Sequence, residues 1–117
     1  GLADRCVAHN RKTAQVAVNR IERLLEQGHV ARAKHVARDA IADVKRTSHH
    51  CVDKIHTKCR RCVGHLYNQG YERLARWVAE QCDDQVDRVR RSQLAAVTKI
   101  RRALGNDVDP SVEGGGE

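Results

Sequence analysis

The cysteines and histidines near the middle of the chain are the residues whose types best suit chemistry. They run from His49 to His65, and thiolate and imidazole are ligands that zinc and copper accept. On a helix, His56 and Cys59 would form one i, i+3 pair, and Cys62 and His65 another. This spacing matches no standard zinc finger. We therefore keep a metal-binding protein as the third hypothesis, favour histidines exposed on a polar helix face, and predict no metal or other cofactor.

Nothing else in the chain has the pattern of an active site. The Cys59-Arg-Arg-Cys62 motif lacks the strands of a thioredoxin-like site. Val63 follows it where a c-type haem attachment would have histidine. The serines lie outside any Gly-x-Ser-x-Gly turn and have no placed acidic partner: Ser48, Ser92 and Ser111. The sequence therefore predicts a protein that is not an enzyme.

The composition predicts helices throughout. The chain has no Phe or Met, one Trp and two Tyr, so nearly all its apolar residues are Ala, Val, Leu and Ile. Its one proline, Pro110, lies near the end, and only three glycines interrupt the body of the chain: Gly28, Gly64 and Gly70. Such a sequence favours an all-α fold with narrow seams between helices. Covalent staples matter more when large apolar side chains are so few.

Three antiparallel helices are predicted. The first runs from about Asp4, a candidate N-cap, to Gln27, and Gly28 can take the left-handed conformation that ends it. The second and third run over about residues 29–68 and 71–104. A break in the second helix near Thr47-Ser48 is the alternative, and it would give four helices in two hairpins. The fold class is therefore an all-α antiparallel bundle of three long helices, with that break as the open alternative.

An apolar stripe with steps of three or four residues supports each predicted helix. The first stripe comprises Cys6, Val7, Ala14, Ala17, Val18, Ile21, Leu24 and Leu25. The second comprises Ala33, Ala37, Ala40, Ile41, Val44, Ser48, Cys51, Ile55, Cys59, Cys62 and Leu66. The third comprises Leu74, Val78, Cys82, Gln85, Val86, Val89, Gln93, Leu94, Val97, Ile100 and Leu104. We expect these stripes to face one another.

The chain also contains an internal repeat with a period of 42 residues. This shift places Gln27-Gly28 on Gln69-Gly70 and Val36-Ala37 on Val78-Ala79. A duplicated helical hairpin would explain the match, and the period lies in the range of helical solenoid repeats. Two repeats are fewer than a solenoid needs, unless neighbouring molecules supply the rest.

The positions of the five cysteines on antiparallel helices predict which of them lie close enough to form disulfides. Residues equally far from a tight turn lie side by side, so paired numbers sum to about 57 at the first turn and about 139 at the second. This rule places Cys6 level with Cys51, and Cys82 within about one turn of Cys59. We predict the disulfides Cys6–Cys51 and Cys59–Cys82, with Cys62 unpaired or intermolecular. Cys62 is the alternative partner of Cys82, and five buried free thiols are the alternative to any bridge.

Charge divides the chain into a basic helical domain, residues 1–106, and an acidic Gly-rich tail, residues 107–117. The whole chain carries a formal net charge of +7 at pH 7. The tail contributes −4 through Asp107, Asp109, Glu113 and Glu117, so residues 1–106 carry +11. Four bases on one face of the third helix form a candidate surface for a polyanion or for the tail: Arg88, Arg91, Lys99 and Arg102. No aromatic residue accompanies them, which disfavours stacking on bases.

Cysteine usage and chain ends predict a compartment. The chain begins at Gly1 and contains no Met, so we expect a processed protein. Five cysteines suit an oxidising compartment, and we predict a secreted or extracellular protein. No run of residues approaches the length and apolarity of a membrane span, so no membrane partner is expected.

These features favour a structural protein that self-assembles, into a homo-oligomer or filament. In this hypothesis the acidic tail of one subunit lies on the basic body of the next, and a non-closing head-to-tail contact gives a filament. The alternative is a basic helical module that binds a polyanion, either nucleic acid or an acidic glycan.

Overall fold

The protein is an antiparallel bundle of three long helices, as its sequence predicts. The structure, a computed structural model, describes residues 1–105. It contains α1 (Leu2–Glu26), α2 (Val30–Asn68) and α3 (Glu72–Leu104), and no strand occurs within these residues. The molecule is elongated, with principal dimensions of 63 × 27 × 18 Å. The predicted tail, residues 107–117, lies outside the described residues.

The two turns between helices have the same geometry. Gly28 and Gly70 take φ values of +79° and +84°, where a side chain would be strained. The next residue in each turn donates its N–H five positions back along the chain: His29 N lies 2.8 Å from Leu24 O, and Tyr71 N lies 2.9 Å from Leu66 O. Both turns are therefore Schellman-type helix ends, which agrees with the 42-residue repeat at these positions.

Two predicted details of the helix ends and continuity are corrected. Asp4 is not the N-cap of α1, because that helix begins at Leu2 and Asp4 lies in its first turn. The alternative break near Thr47-Ser48 is also wrong, because α2 is continuous. Thr47 Oγ1 donates within the helix to Asp43 Oδ1 at 3.1 Å, and Ser48 Oγ accepts from Asn10 Nδ2 at 3.0 Å. Both hydroxyls are thus engaged in the middle of the helix, and neither caps a new one.

Most of the core lies where all three helices run together, in residues 1–55 and 86–105, which we call the body. Apart from Leu104 and Asn10, its buried residues are small or β-branched, and Ile21 and Ile100 are the largest apolar side chains that are fully buried. One cluster centres on Ile21, Ile41, Val44, Ala96, Val97, Ile100 and Leu104. A second contains Ala3, Cys6, Cys51, Val52, Ile55, Val86 and Val89. Small side chains allow the close approach that a thin core requires.

The remaining residues, 56–85, form a two-helix projection that we call the arm. At 1.5 Å per residue, α1 spans about 37 Å and α2 about 58 Å, so α2 outruns α1. Leu2, the first residue of α1, packs against the cluster that contains Ile55. Beyond this level only α2 and α3 continue, and the arm buries only Ala75 and Cys82. The helical hairpin thus projects past the start of α1 without a third helix.

Candidate interaction surfaces

Two disulfides tie the helices near the junction of body and arm. Cys6–Cys51 joins α1 to α2, with the Cα atoms 6.6 Å apart. Cys59–Cys82 joins α2 to α3, with the Cα atoms 6.3 Å apart. These are the pairs that equal distance from the turns predicts. Cys62 is the free cysteine, and it is exposed on the arm.

The histidines near these cysteines do not gather into a ligand set. His49 Nε2 lies 3.4 Å from Asp53 Oδ2, one turn along the same helix, and both side chains are largely exposed. Cys59 is held in a disulfide, which removes its thiolate as a ligand. Within residues 1–105, no group of three or more His, Cys, Asp or Glu side chains is placed to hold a metal ion. The described residues therefore contain no site that would support the metal-binding hypothesis.

An open groove between α1 and α3 collects basic side chains from both helices, and we call it the cationic groove. Five bases line it, and its lining contains no acidic residue: Arg11, Lys12, Arg88, Arg91 and Lys99. Three of the four bases predicted from α3 are therefore together. Arg102, the fourth, is exposed but does not line this groove. The groove also includes Ser92 and Ala95, and it has no aromatic residue.

The contribution of α1 to the cationic groove was not foreseen from the sequence, although the two turns contain the signal. An antiparallel arrangement repeated twice makes α1 and α3 parallel, with a constant offset in residue number. Asn10 and Ser92 are 82 positions apart, and Lys99 and Gln15 are 84 apart. Applying this offset to Arg11 and Lys12 places them beside residues 93–96 of α3.

One end of the cationic groove carries an ion pair between the helices. Arg88 Nη2 donates to Asp4 Oδ1 across the α1–α3 seam. The hydrogen bond from Arg88, followed by that from the terminal amine of Gly1, lowers the pKa of Asp4 below its ordinary value. Both side chains are substantially exposed, so this pair contributes little to stability.

A buried polar layer lies beneath the cationic groove. The side chain of Asn10 is fully buried, and its Nδ2 donates to Ser48 Oγ at 3.0 Å and Ser92 Oγ at 2.9 Å. Ser92 Oγ donates in turn to the carbonyl of Val89 at 2.8 Å. The layer joins all three helices and accounts for Ser48 on the predicted stripe. It also fills the gap between Cys6 and Ala14, where an asparagine was not assigned to the core.

The arm exposes the aromatic side chains, which the body lacks. Tyr67, Tyr71 and Trp77, the only aromatic residues of the chain, are all on it, and they are 47, 57 and 56% exposed. Leu74 is 48% exposed. The predicted interior positions Leu74 and Cys62 are therefore corrected, because no third helix covers them. Leu94, on the body, is a separate correction: it was placed on the α3 stripe and is 67% exposed.

The remaining expectations concern the tail, the membrane and relatives. Asp107, Asp109, Glu113 and Glu117 lie outside the described residues. None of the three helices has a segment that is both long and apolar enough to cross a bilayer. Comparisons of the chain with protein-family models, with curated proteins and with solved structures found no match.

Proposed function

We propose that the protein is a non-enzymatic, disulfide-tied helical subunit that self-assembles through its acidic tail. The tail of one subunit lies in the cationic groove of the next. Such a contact is head-to-tail, and it continues into a filament wherever the rotation between subunits does not close a ring. We also propose that assembly takes place outside the cell, where disulfides persist.

The lining of the cationic groove is the observation that carries this proposal. Five bases from two helices line it and no acidic residue does, although Arg88 is paired with Asp4 at one end of the groove. The tail has the opposite composition, four acidic residues and no basic one. Charge complementarity of this kind steers association and sets which surfaces meet.

Sedimentation velocity over a range of protein concentrations tests the contact. We expect the full chain to assemble, and we expect a chain that ends at Asn106 to assemble at least about tenfold more weakly. Raising the ionic strength should weaken assembly of the full chain, because exposed charges are screened. Normal assembly of the shortened chain would overturn the proposal.

A pair of charge-matched variants separates the cationic groove from net charge. Arg91→Gln with Lys99→Gln removes two charges from the groove and should weaken assembly. Lys45→Gln with Arg90→Gln removes the same charge from a groove between α2 and α3, and it should have little effect. Mixing the groove variant with the shortened chain should restore a complex, because one supplies the tail and the other the groove. Equal effects of the two charge variants would contradict a specific site.

The second candidate function is binding of an external polyanion in the same groove. The groove has five bases but no aromatic platform, which suits an acidic glycan or a phosphate backbone without base recognition. Retention of the full-length monomer on immobilised heparin, reversed by salt, would favour it. Self-assembly and heparin binding should compete if both use the groove. Heparin binding by a chain that never self-associates would make this candidate the function.

The proposed extracellular location has its own test. The intact mass of unreduced protein from its source, alkylated on free thiols under denaturing conditions, counts the cysteines that are not bridged. At most one alkylated cysteine per chain is expected from the two disulfides. Five alkylated cysteines would indicate a reducing compartment and contradict the proposal.

A further inference from the structure

The side of α3 that faces α1 in the body continues along the arm, where α1 is missing. Eighteen residues make about five full helical turns, so residues at this spacing share a face. Leu74 precedes Ser92 by this distance, and Trp77 precedes Ala95 by the same distance. Ser92 bonds to Asn10 of α1, and Ala95 lines the groove between α1 and α3. Leu74 and Trp77 therefore occupy the α1-facing side of α3 beyond the end of α1.

The same relation holds on α2. Cys62 follows Val44 by eighteen residues, and Leu66 follows Ser48 by eighteen. Val44 is fully buried in the body, and Ser48 bonds to Asn10 of α1. Cys62 is nevertheless exposed, and Leu66 is only partly buried. The two helices of the arm thus present one unoccupied third-helix position, which we call the arm face: Cys62, Leu66, Leu74 and Trp77.

Charges beside the arm face indicate what covers it. Along α3, Arg73 precedes Trp77 and Glu80 follows it, whereas Glu72 and Arg76 pair with each other within the helix. A second α3 that runs antiparallel, centred near Trp77, places Arg73 of each copy opposite Glu80 of the other. The pattern is therefore self-complementary under a two-fold axis, which is the requirement for an isologous contact. The acidic, Gly-rich tail has no base, and its only large apolar side chains are two valines, so it complements this position poorly.

We propose that a second copy of this chain covers the arm face, by packing the two arms antiparallel about a two-fold axis near Trp77. The two Trp77 side chains and the two Leu74 side chains form the apolar centre, and the Arg73–Glu80 pairs form its rim. A parallel arrangement is excluded by the fold, because the α1 helices of both copies lie on the same side as the arm face and would collide. Antiparallel arms keep the two bodies at opposite ends.

This contact differs from the tail–groove contact and does not depend on it. An isologous arm contact closes as a dimer, whereas a tail–groove contact is head-to-tail and open. If both operate, arm dimers are the units that the tails link into longer assemblies. The full chain carrying Arg91→Gln with Lys99→Gln favours the arm contact, because the variant weakens the tail–groove contact and leaves the arm unchanged.

Sedimentation equilibrium of the full chain, with the natural groove and with the groove variant, is the test. Both should contain a dimer, and the groove variant should contain fewer of the larger species. Trp77→Ser should raise the dimer dissociation constant at least about tenfold in both backgrounds, as expected for a central aromatic residue. Trp77 is 56% exposed, so the substitution should leave the monomer folded. Leu94→Ser, at a 67% exposed apolar position on the body, is the matched control and should leave the constant unchanged.

Charge reversal tests the antiparallel geometry independently. Arg73→Glu alone and Glu80→Arg alone should each weaken the dimer, because like charges then meet across the axis. The double variant should restore it. A short thiol-to-thiol cross-linker should trap the dimer through Cys62 in the natural chain and not in Trp77→Ser.

Three results would overturn the proposal. The first is a groove variant that stays monomeric at every concentration. The second is an equal effect of Trp77→Ser and Leu94→Ser. The third is a double charge reversal that fails to rescue dimerisation. Each leaves the tail–groove contact untouched, since that contact is lost with the tail and not with Trp77.

Discussion

The body and the arm share two helices but use their side chains in opposite ways. In the body, three helices bury Ala, Val and Ile against one another, and the four largest fully buried apolar side chains are Ile21, Ile100, Val44 and Val89. In the arm, two helices bury only Ala75 and Cys82, and all three aromatic residues face solvent. The chain has few bulky side chains, and none of its aromatic residues is buried in its own core. Exposed aromatic residues grouped at one end of a molecule are typical of a surface that binds another protein.

The body and the arm are also stabilised by different interactions. The body has a continuous core, a buried polar layer and the Cys6–Cys51 bridge. The arm has a single bridge, Cys59–Cys82, and one Schellman turn at its tip. A two-helix hairpin in water has too little buried apolar surface to be firmly stable alone. We therefore expect the arm to be the region of lower local stability in the monomer.

The largest expected difference between the regions is in the free energy of unfolding after truncation of an isoleucine in the body or of its isomer, leucine, in the arm. Ile100→Ala should lower the free energy of unfolding of the monomer by about 2–5 kcal/mol, because Ile100 is fully buried. Leu74→Ala removes the same number of carbon atoms from a half-exposed position and should cost no more than ~0.5 kcal/mol. Urea denaturation at low protein concentration measures both. Similar losses in the two variants would mean that the arm has a core of its own.

Removal of each disulfide sharpens the comparison by location. Replacing both cysteines of either bridge by serine should cost about 2–4 kcal/mol. For Cys59→Ser with Cys82→Ser, we expect amide hydrogen exchange to accelerate in residues 56–85 and not in the body. For Cys6→Ser with Cys51→Ser, the acceleration should include α1, because this bridge holds its first turns against α2. Uniform acceleration after loss of the arm bridge would show that the two regions unfold as one unit.

The sequence predicted the frame of both regions for physical reasons that are local. Gly28 and Gly70 take positive φ values and end the helices that precede them. Three helices could therefore be predicted from the positions of these two glycines. Fixed rise per residue then places Cys6 beside Cys51. The difference between body and arm was missed because periodicity identifies the face of a helix and not what covers it. Cys62 and Leu74 lie on the correct face, but α1 is too short to reach them.

Other features of the site depend on packing that a stripe of residue types does not encode. Asn10 is polar, yet it occupies a core position because two serines on other helices receive its hydrogen bonds. Arg11 and Lys12 are ordinary surface bases until the parallel offset of α1 and α3 puts them beside Arg91. Both could have been found by applying the two turn rules in succession.

The buried polar layer predicts a smaller effect that is confined to the body. Asn10→Ala should destabilise the protein by about 1–3 kcal/mol, because Ser48 and Ser92 each lose a buried partner. Thermal unfolding followed by circular dichroism measures the loss. Thr57→Ala, which removes a hydroxyl bonded only to the carbonyl of Asp53 on the exposed surface of the arm, is the comparison and should change little. If Asn10→Ala does not change thermal unfolding, the buried polar layer does not stabilise the body.

The smallest predicted effect is the pH dependence of the α1–α3 ion pair. Because Arg88 lowers the pKa of Asp4, the folded state favours the ionised carboxylate. The stabilisation is present above the ordinary pKa of 3.8 and is lost as pH falls through the lower folded value. Acid unfolding curves of Asp4→Asn and natural protein should therefore converge as pH falls below that ordinary value. Asp83→Asn, on the arm, is the control, and a divergence of the Asp4→Asn curve at acid pH would contradict the assignment.

The central claim is that the body is complete in one chain whereas the arm is completed by a second copy. Amide hydrogen exchange of the full chain at low and high protein concentration tests it most directly, region by region. We predict that protection in residues 56–85 rises with concentration while protection in α1 and in the α3 residues beside it stays constant. Trp77→Ser should abolish the rise. Protection of the arm that is already equal to that of the body at the lowest concentration, and does not change, would contradict the account.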